Sequence, residues 1–196
     1  MIADFKVDKK LELRRKILHI SVGILIILSA VLIPQIKWIL FFALIFGIFL
    51  SVVSVYYELP VISFLLEKFE RPYYKKVFPG KGLLFFVAGS LLVLKLFPKE
   101  IALASIAIIT FSDPLFSFGK RVFKGIFKLK NFKSMILGFA GGAIAAIFFV
   151  SPIKALIASF FAAITESFAI YLGADPVDDN ILIPLAAGTV LYLLPI

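Results

Sequence analysis

Residues 37–57 read KWILFFALIFGIFLSVVSVYY, and after Lys37 no charged side chain interrupts the run. About 20 mostly apolar residues form a helix long enough to cross about 30 Å of hydrocarbon. The stretch therefore predicts a membrane span, and similar runs flank it at 17–33, 82–98, 100–118, 135–151, 153–172 and 181–196. Pro34, Pro98 and Pro152 mark three very short turns between them, since a helix does not continue through proline. The expected fold is all-α: a polytopic membrane bundle of about seven short helices. Two adjacent segments entering and returning as half-helices is the variant of that plan. No hydrophilic stretch is long enough for a second core, so residues 1–196 form one integral membrane domain. Residues 1–16 are its basic arm.

Composition agrees. Hydrophobic residues make up 62% of the chain and charged ones 17%, with 23 Phe against one Trp. Soluble domains carry roughly a quarter of charged residues. Cysteine is absent, which excludes a disulfide framework and thiolate metal sites. The first apolar run follows basic residues as a signal peptide would. It ends in Leu32-Ile33-Pro34-Gln35 without a small-x-small cleavage site, so a first span is expected instead.

Lysine and arginine are distributed unevenly. Lys6, Lys9, Lys10, Arg14, Arg15 and Lys16 precede the first span. Lys68, Arg71, Lys75, Lys76 and Lys81 lie in the second connection. Lys120, Arg121, Lys124, Lys128, Lys130 and Lys133 lie in the fourth. Only Lys37, Lys95, Lys99 and Lys154 fall at the other side. The positive-inside rule then places the N-terminus and these connections in the cytoplasm, and the C-terminus outside. The net charge of +9 is accounted for by this bias and by anionic lipid headgroups, not by nucleic acid. A prokaryotic or archaeal cell membrane is the expected location.

Ionisable residues within spans are costly and mark function or a structural pair. His19 sits just inside the first span, Asp113 in the fourth and Glu166 in the sixth. With that topology, Asp113 and Glu166 lie about 10 Å below the cytoplasmic rim, in the same half-bilayer as His19. Glu12, Lys16, His19 and Gly23 share one helical face, by spacings of four, three and four. An i,i+4 pair of Glu12 with Lys16 beside an interfacial histidine is the plainer reading of that face. Asp175, Asp178, Asp179 and Asn180 form an acidic turn after the sixth span. It is either a solvated loop or a set of hard oxygen donors suited to Mg²⁺. Gly119-Lys120-Arg121, Lys124-Gly125, Lys128, Lys130, Lys133 and Ser134, with Gly80-Lys81-Gly82, are candidate phosphate-holding turns. No P-loop string occurs. Gly138 and Gly142 are read as a close-packing pair.

Taken together these residues resemble a known family. Glu12-x-x-Arg15-Lys16-x-x-His19-x-x-x-Gly23 resembles the opening motif of the dolichol kinase and phytol kinase family. Pro79-Gly80-Lys81-Gly82 is similar to its P-G-[KR]-G turn. Asp113 through Gly119-Lys120, with Lys133-Ser134 and Gly138, is similar to its central region. Glu166 followed by Asp178-Asp179-Asn180-Ile-Leu-Ile-Pro184 resembles its closing segment. The chain departs from the pattern at Ser112 and Pro114, which flank Asp113, and at Met135-Ile136-Leu137 after Lys133-Ser134.

The resemblance implies a CTP-dependent, Mg²⁺-requiring lipid kinase. Its acceptor would be the hydroxyl of dolichol or another polyprenol, geranylgeraniol or phytol, at the cytoplasmic membrane face. Asp113, His19 and Glu166 are the implied catalytic residues. Lys16, Lys81, Gly119, Lys120, Lys133 and Ser134 are the implied phosphate contacts. Asp113, Asp178, Asp179 and Asn180 are the implied metal donors. The rival enzymes are a cytidylyltransferase acting on a lipid phosphate and a CTP-dependent diacylglycerol kinase. The rival outside enzymes is a small ion-coupled transporter using Asp113 and Glu166.

Overall fold

A computed structural model describes the backbone of residues 9–122, 127–168, 171–172 and 175–195. Lys6, Lys124, Gly125 and Gly173 lie outside the described residues, as do the side chains of Lys128, Lys130 and Asp175. The chain is helical. The helices are α1 (Lys9–Leu32), α2 (Ile36–Tyr56), α3 (Pro60–Phe69), α4 (Pro72–Val77) and α5 (Lys81–Leu96). They continue as α6 (Lys99–Val122), α7 (Phe127–Ala146), α8 (Pro152–Ser167) and α9 (Asp179–Leu193). Prolines open α3, α4 and α8 at the first turn, where the missing N–H leaves no intrahelical bond unmade.

Helices occupy each of the seven apolar runs, and α3 and α4 add two short ones in the second connection. Among the described residues three helices, α1, α2 and α6, are long and apolar enough to cross a membrane. The 16 residues of α5 and of α8 rise only about 24 Å. The expected span 153–172 ends early: α8 stops at Ser167, and Tyr171–Leu172 (β1) pairs antiparallel with Asp175–Pro176 (β2). A residue before proline is pushed out of the helical region, which favours an extended Asp175.

Helix α6 forms the centre. Its residues from Ala102 to Thr110 are all buried, and α1, α5, α7, α8 and α9 pack around it. Small side chains permit this: Ala102, Ala104, Ala155, Ala158, Ala162 and Ala187 are wholly shielded. Gly138 and Gly142 do act as packing positions, against Phe116 and against Ser159 and Ile108. By contrast α1 and α2 turn large apolar side chains outward, including Leu25, Leu32, Phe42 and Phe46. Soluble monomers rarely expose a continuous apolar surface of that extent. The outward surface therefore has the character of a lipid-facing one.

Gly23 marks the crossing of α1 over α6, where an added Cβ would collide with the side chain of Thr110. Gly23→Ala is expected to cost about 1–3 kcal/mol by overpacking, read as a lower unfolding midpoint in detergent. Adding Thr110→Ala should recover part of that loss, because it removes Oγ1 and Cγ2 while the residue-110 Cβ stays 2.8 Å from the new methyl.

Candidate functional site

One end of the bundle gathers the N-terminal ends of α1, α5 and α9 and the C-terminal ends of α6 and α8. A cavity of about 650 Å³ opens there. Residues singled out in the sequence line it, among them Lys16, His19, Lys81, Asp113, Lys120, Glu166, Asp178, Asp179 and Asn180. The shared depth expected for His19, Asp113 and Glu166 thus corresponds to a shared cavity.

Lys16 does not pair with Glu12. Its ammonium donates to both carboxylate oxygens of Asp113, at 2.7 and 2.6 Å, and so ties α1 to α6. Pro114 follows Asp113 inside α6 and removes the amide that would bond the Thr110 carbonyl, loosening the helix beside the pair. His19 lies one turn further along α1. Its Nε2 faces the Ile109 carbonyl at 3.4 Å, and its ring stacks on Phe86 with centroids 4.1 Å apart.

Glu12 serves a different cluster. Its side chain is only 5% exposed and accepts from Arg71 Nε at 2.7 Å and Arg15 Nη1 at 2.8 Å. Arg121 approaches at 3.6 Å. Burial alone would pull the Arg71 guanidinium down, but the hydrogen bond and charge of Glu12 raise it above the usual arginine range. Arg15 and Arg71 both line the cavity. The neighbouring Glu70, also buried, accepts from the amides of Arg71 and Gly80. Gly80 adopts φ +76°, a left-handed conformation open to glycine, and this turn starts α5. Ser51 fixes the same turn from α2 by donating to the Pro79 carbonyl at 2.6 Å. The turn aims Lys81 towards Asp178, 3.9 Å away, with the rings of Tyr74 and Phe85 nearby.

Three expected phosphate contacts lie elsewhere. Gly119, Lys133 and Ser134 do not line the cavity. Gly119 is a packing position: a Cβ there would meet the Ser134 backbone at 2.7 Å, and Ser134 is wholly buried at this α6–α7 contact. Lys120, adjacent in sequence, does reach the cavity, its ammonium 4.1 Å from the Phe116 ring. The sequence reading did not place Glu70, Arg71 and Tyr74 at the site. The signal available was the paired Glu70-Arg71 just before a proline.

The expected metal donors do not form a free-standing site. Among the described residues no three His, Asp or Glu side chains converge to hold an ion. Asp113 spends both oxygens on Lys16. Asp178 caps α9, its Oδ1 accepting from the Asn180 amide at 3.1 Å and from Asn180 Nδ2 at 2.9 Å. Asp179 remains at the cavity wall, where withdrawal from water, then the nearby Asp113 and Asp178, raise it to about 6. Glu166 remains too: its Oε2 is buried without a hydrogen-bond partner among the described residues. Mg²⁺ commonly takes one or two carboxylates and completes its shell with substrate phosphates and water. Asp179 and Glu166 suit that arrangement and no protein-only cage.

No family model, curated protein or solved structure matches the chain. Its chemistry rests on the cavity itself. Five cations, Arg15, Lys16, Arg71, Lys81 and Lys120, share it with apolar side chains of Leu18, Leu66, Phe69, Phe86 and Phe168.

Glu12→Gln removes the negative charge from three arginines while keeping the shape. A loss of about 1–3 kcal/mol in unfolding free energy is expected, since hydrogen bonds to a charged, buried acceptor lie in that range. Added salt should narrow the difference from the parent protein, because Arg71 and Arg121 are partly exposed.

Proposed function

We propose that the chain is a multi-pass membrane kinase that transfers the terminal phosphoryl group of CTP to an isoprenoid alcohol at the cytoplasmic face. One observation carries this reading: a single cavity offers cations, a carboxylate with one oxygen unpartnered among the described residues, and an apolar wall. A nucleoside triphosphate needs the first, a hydroxyl acceptor the second and a lipid tail the third. The family resemblance of Glu12-x-x-Arg15-Lys16-x-x-His19, Pro79-Gly80-Lys81-Gly82 and Asp178-Asp179-Asn180 supports the choice of CTP and of the isoprenoid class.

In this mechanism the acceptor oxygen bonds to the terminal phosphorus of CTP. The bond from that phosphorus to the β–γ bridging oxygen breaks, and CDP leaves with the electron pair. The hydroxyl proton passes to Glu166, whose Oε2 is the carboxylate oxygen in the cavity without a partner among the described residues. Arg15, Arg71, Lys81 and Lys120 neutralise the phosphates. Lys16 stays with Asp113, which acts by positioning Lys16 and α1. Bound Mg²⁺, held by Asp179 with the phosphates, would offset charge on the β- and γ-oxygens. His19 packs on Phe86 and orients α1.

Purified protein with γ-labelled CTP, Mg²⁺ and a panel of polyprenol, geranylgeraniol, phytol and diacylglycerol tests the reading. Label is expected in an isoprenoid alcohol; label in no lipid would sink it. Label recovered in pyrophosphate instead would identify a cytidylyltransferase, and label in diacylglycerol alone a diacylglycerol kinase. Glu166→Gln should lower kcat by about 10²–10⁴-fold, the usual weight of a general base, with KM for CTP little changed. Lys81→Ala should instead raise KM for CTP. Asp179→Asn should raise the Mg²⁺ concentration that half-saturates activity.

A further inference from the structure

Helix α3 is amphipathic and touches two environments at once. None of its ten residues is fully buried. Val61 and Phe64 are 70% and 51% exposed, while Leu65, Leu66 and Phe69 line the cavity. Ten residues rise about 15 Å, too little to cross a bilayer and enough to lie along its surface. The surroundings suit an anionic headgroup layer. Tyr56, Tyr57 and Tyr73 are exposed at its flanks, and the ammonium of Lys68 rests 4.1 Å over the Phe64 ring. Lys75 and Lys76 follow in the last turn of α4. Amphipathic rings and cations collect at that level of a membrane.

The attachment of α3 is uneven. Its C-terminal end is fastened by Glu70, which takes the amides of Arg71 and Gly80, and by Arg71, which binds Glu12. The helix body packs chiefly against α1.

We infer that α3 is the portal wall of the cavity, past which the hydrocarbon tail of a lipid enters sideways from the leaflet. This rests on the cavity being the site of a lipid-modifying reaction. The tail would lie along Leu66, Phe69, Leu18 and Phe86, and its polar head would reach the cations of Arg15 and Arg71. Val61 and Phe64 stay in the acyl layer outside. The headgroup cations of α3 and α4 hold the helix at the interface, so the side of the cavity at α3 faces lipid.

The chain has a single Trp and no Cys, which makes a direct test possible. In a Trp38→Phe background, Phe69→Trp or Leu66→Trp reports the inner wall, and Phe64→Trp reports the outer face. The full chain is placed in vesicles of phosphatidylcholine and phosphatidylglycerol containing phosphatidylcholine with a nitroxide high on its acyl chain. The inner and outer reporters are both expected to lose fluorescence to a similar extent. Excess geranylgeraniol should restore emission at the inner positions and not at Phe64→Trp. Quenching at the outer reporter with none at either inner one would overturn the portal. An unquenched Phe64→Trp would mean that protein, such as a second copy of the chain, covers α3, and would overturn it equally. Inner quenching that geranylgeraniol does not relieve supports the portal and counts against the isoprenoid acceptor, so the two readings fail separately.

Discussion

Lys16 and Asp113 meet across α1 and α6 with both carboxylate oxygens engaged. About a fifth of each side chain remains exposed, at the cavity, and the rest is withdrawn from water. Leaving either charge partly buried without its partner costs free energy, whereas a well-made pair roughly offsets its own desolvation. The pair therefore fixes where α1 lies on α6. Two turns further along, Gly23 must pass Thr110 with no room for a Cβ. Between them His19 sits against Ile109 and Phe86. One stripe of α1, from Glu12 to Gly23, thus meets a different neighbour at each step, and each contact depends on the register set by the pair.

The pair also distributes the remaining roles in the cavity. Asp113 is neutralised by Lys16 through both of its oxygens. Glu12 likewise is surrounded by guanidinium groups. Three arginines around one carboxylate leave an excess of positive charge, and Arg15 and Arg71 carry that excess to the cavity wall. Basic residues that orient a membrane protein are normally solvated. Here some are held by buried carboxylates, which lowers the entropy cost of presenting them to an anion.

Much of the helix plan was legible because apolar runs and prolines act locally. Convergence of His19, Asp113 and Glu166 at one level followed from alternating helix directions, without knowledge of packing. The errors came from treating sequence neighbours as functional neighbours. Gly119 and Ser134 appear in one glycine- and lysine-rich stretch, yet they meet each other across the α6–α7 contact and leave only Lys120 facing the cavity. Asp178, an expected metal donor, caps α9 through Oδ1, since capping and ligation call for the same residue type. Arg71 and Glu70 were hidden by the bias that made every lysine and arginine in that connection look like a topology signal. Nothing local distinguishes an arginine facing a headgroup from one folded back on Glu12.

Glu166 is the residue least explained by stability. It lies in the last turn of α8, where the helix dipole is negative and a cation is favoured. No basic residue occupies that turn, in contrast to Lys120 and Arg121 at the equivalent end of α6. One of its oxygens is buried without a partner among the described residues. A bundle built for stability alone would place a glutamine or an apolar residue there. An acid held against the dipole has its free energy lowered by any donor that arrives: a hydroxyl, or a cation carried by phosphate. Asp113 differs in having its partner, Lys16, built in. Among the described residues Glu166 keeps a buried oxygen without a partner, and the cavity beside it is where a donor can reach it.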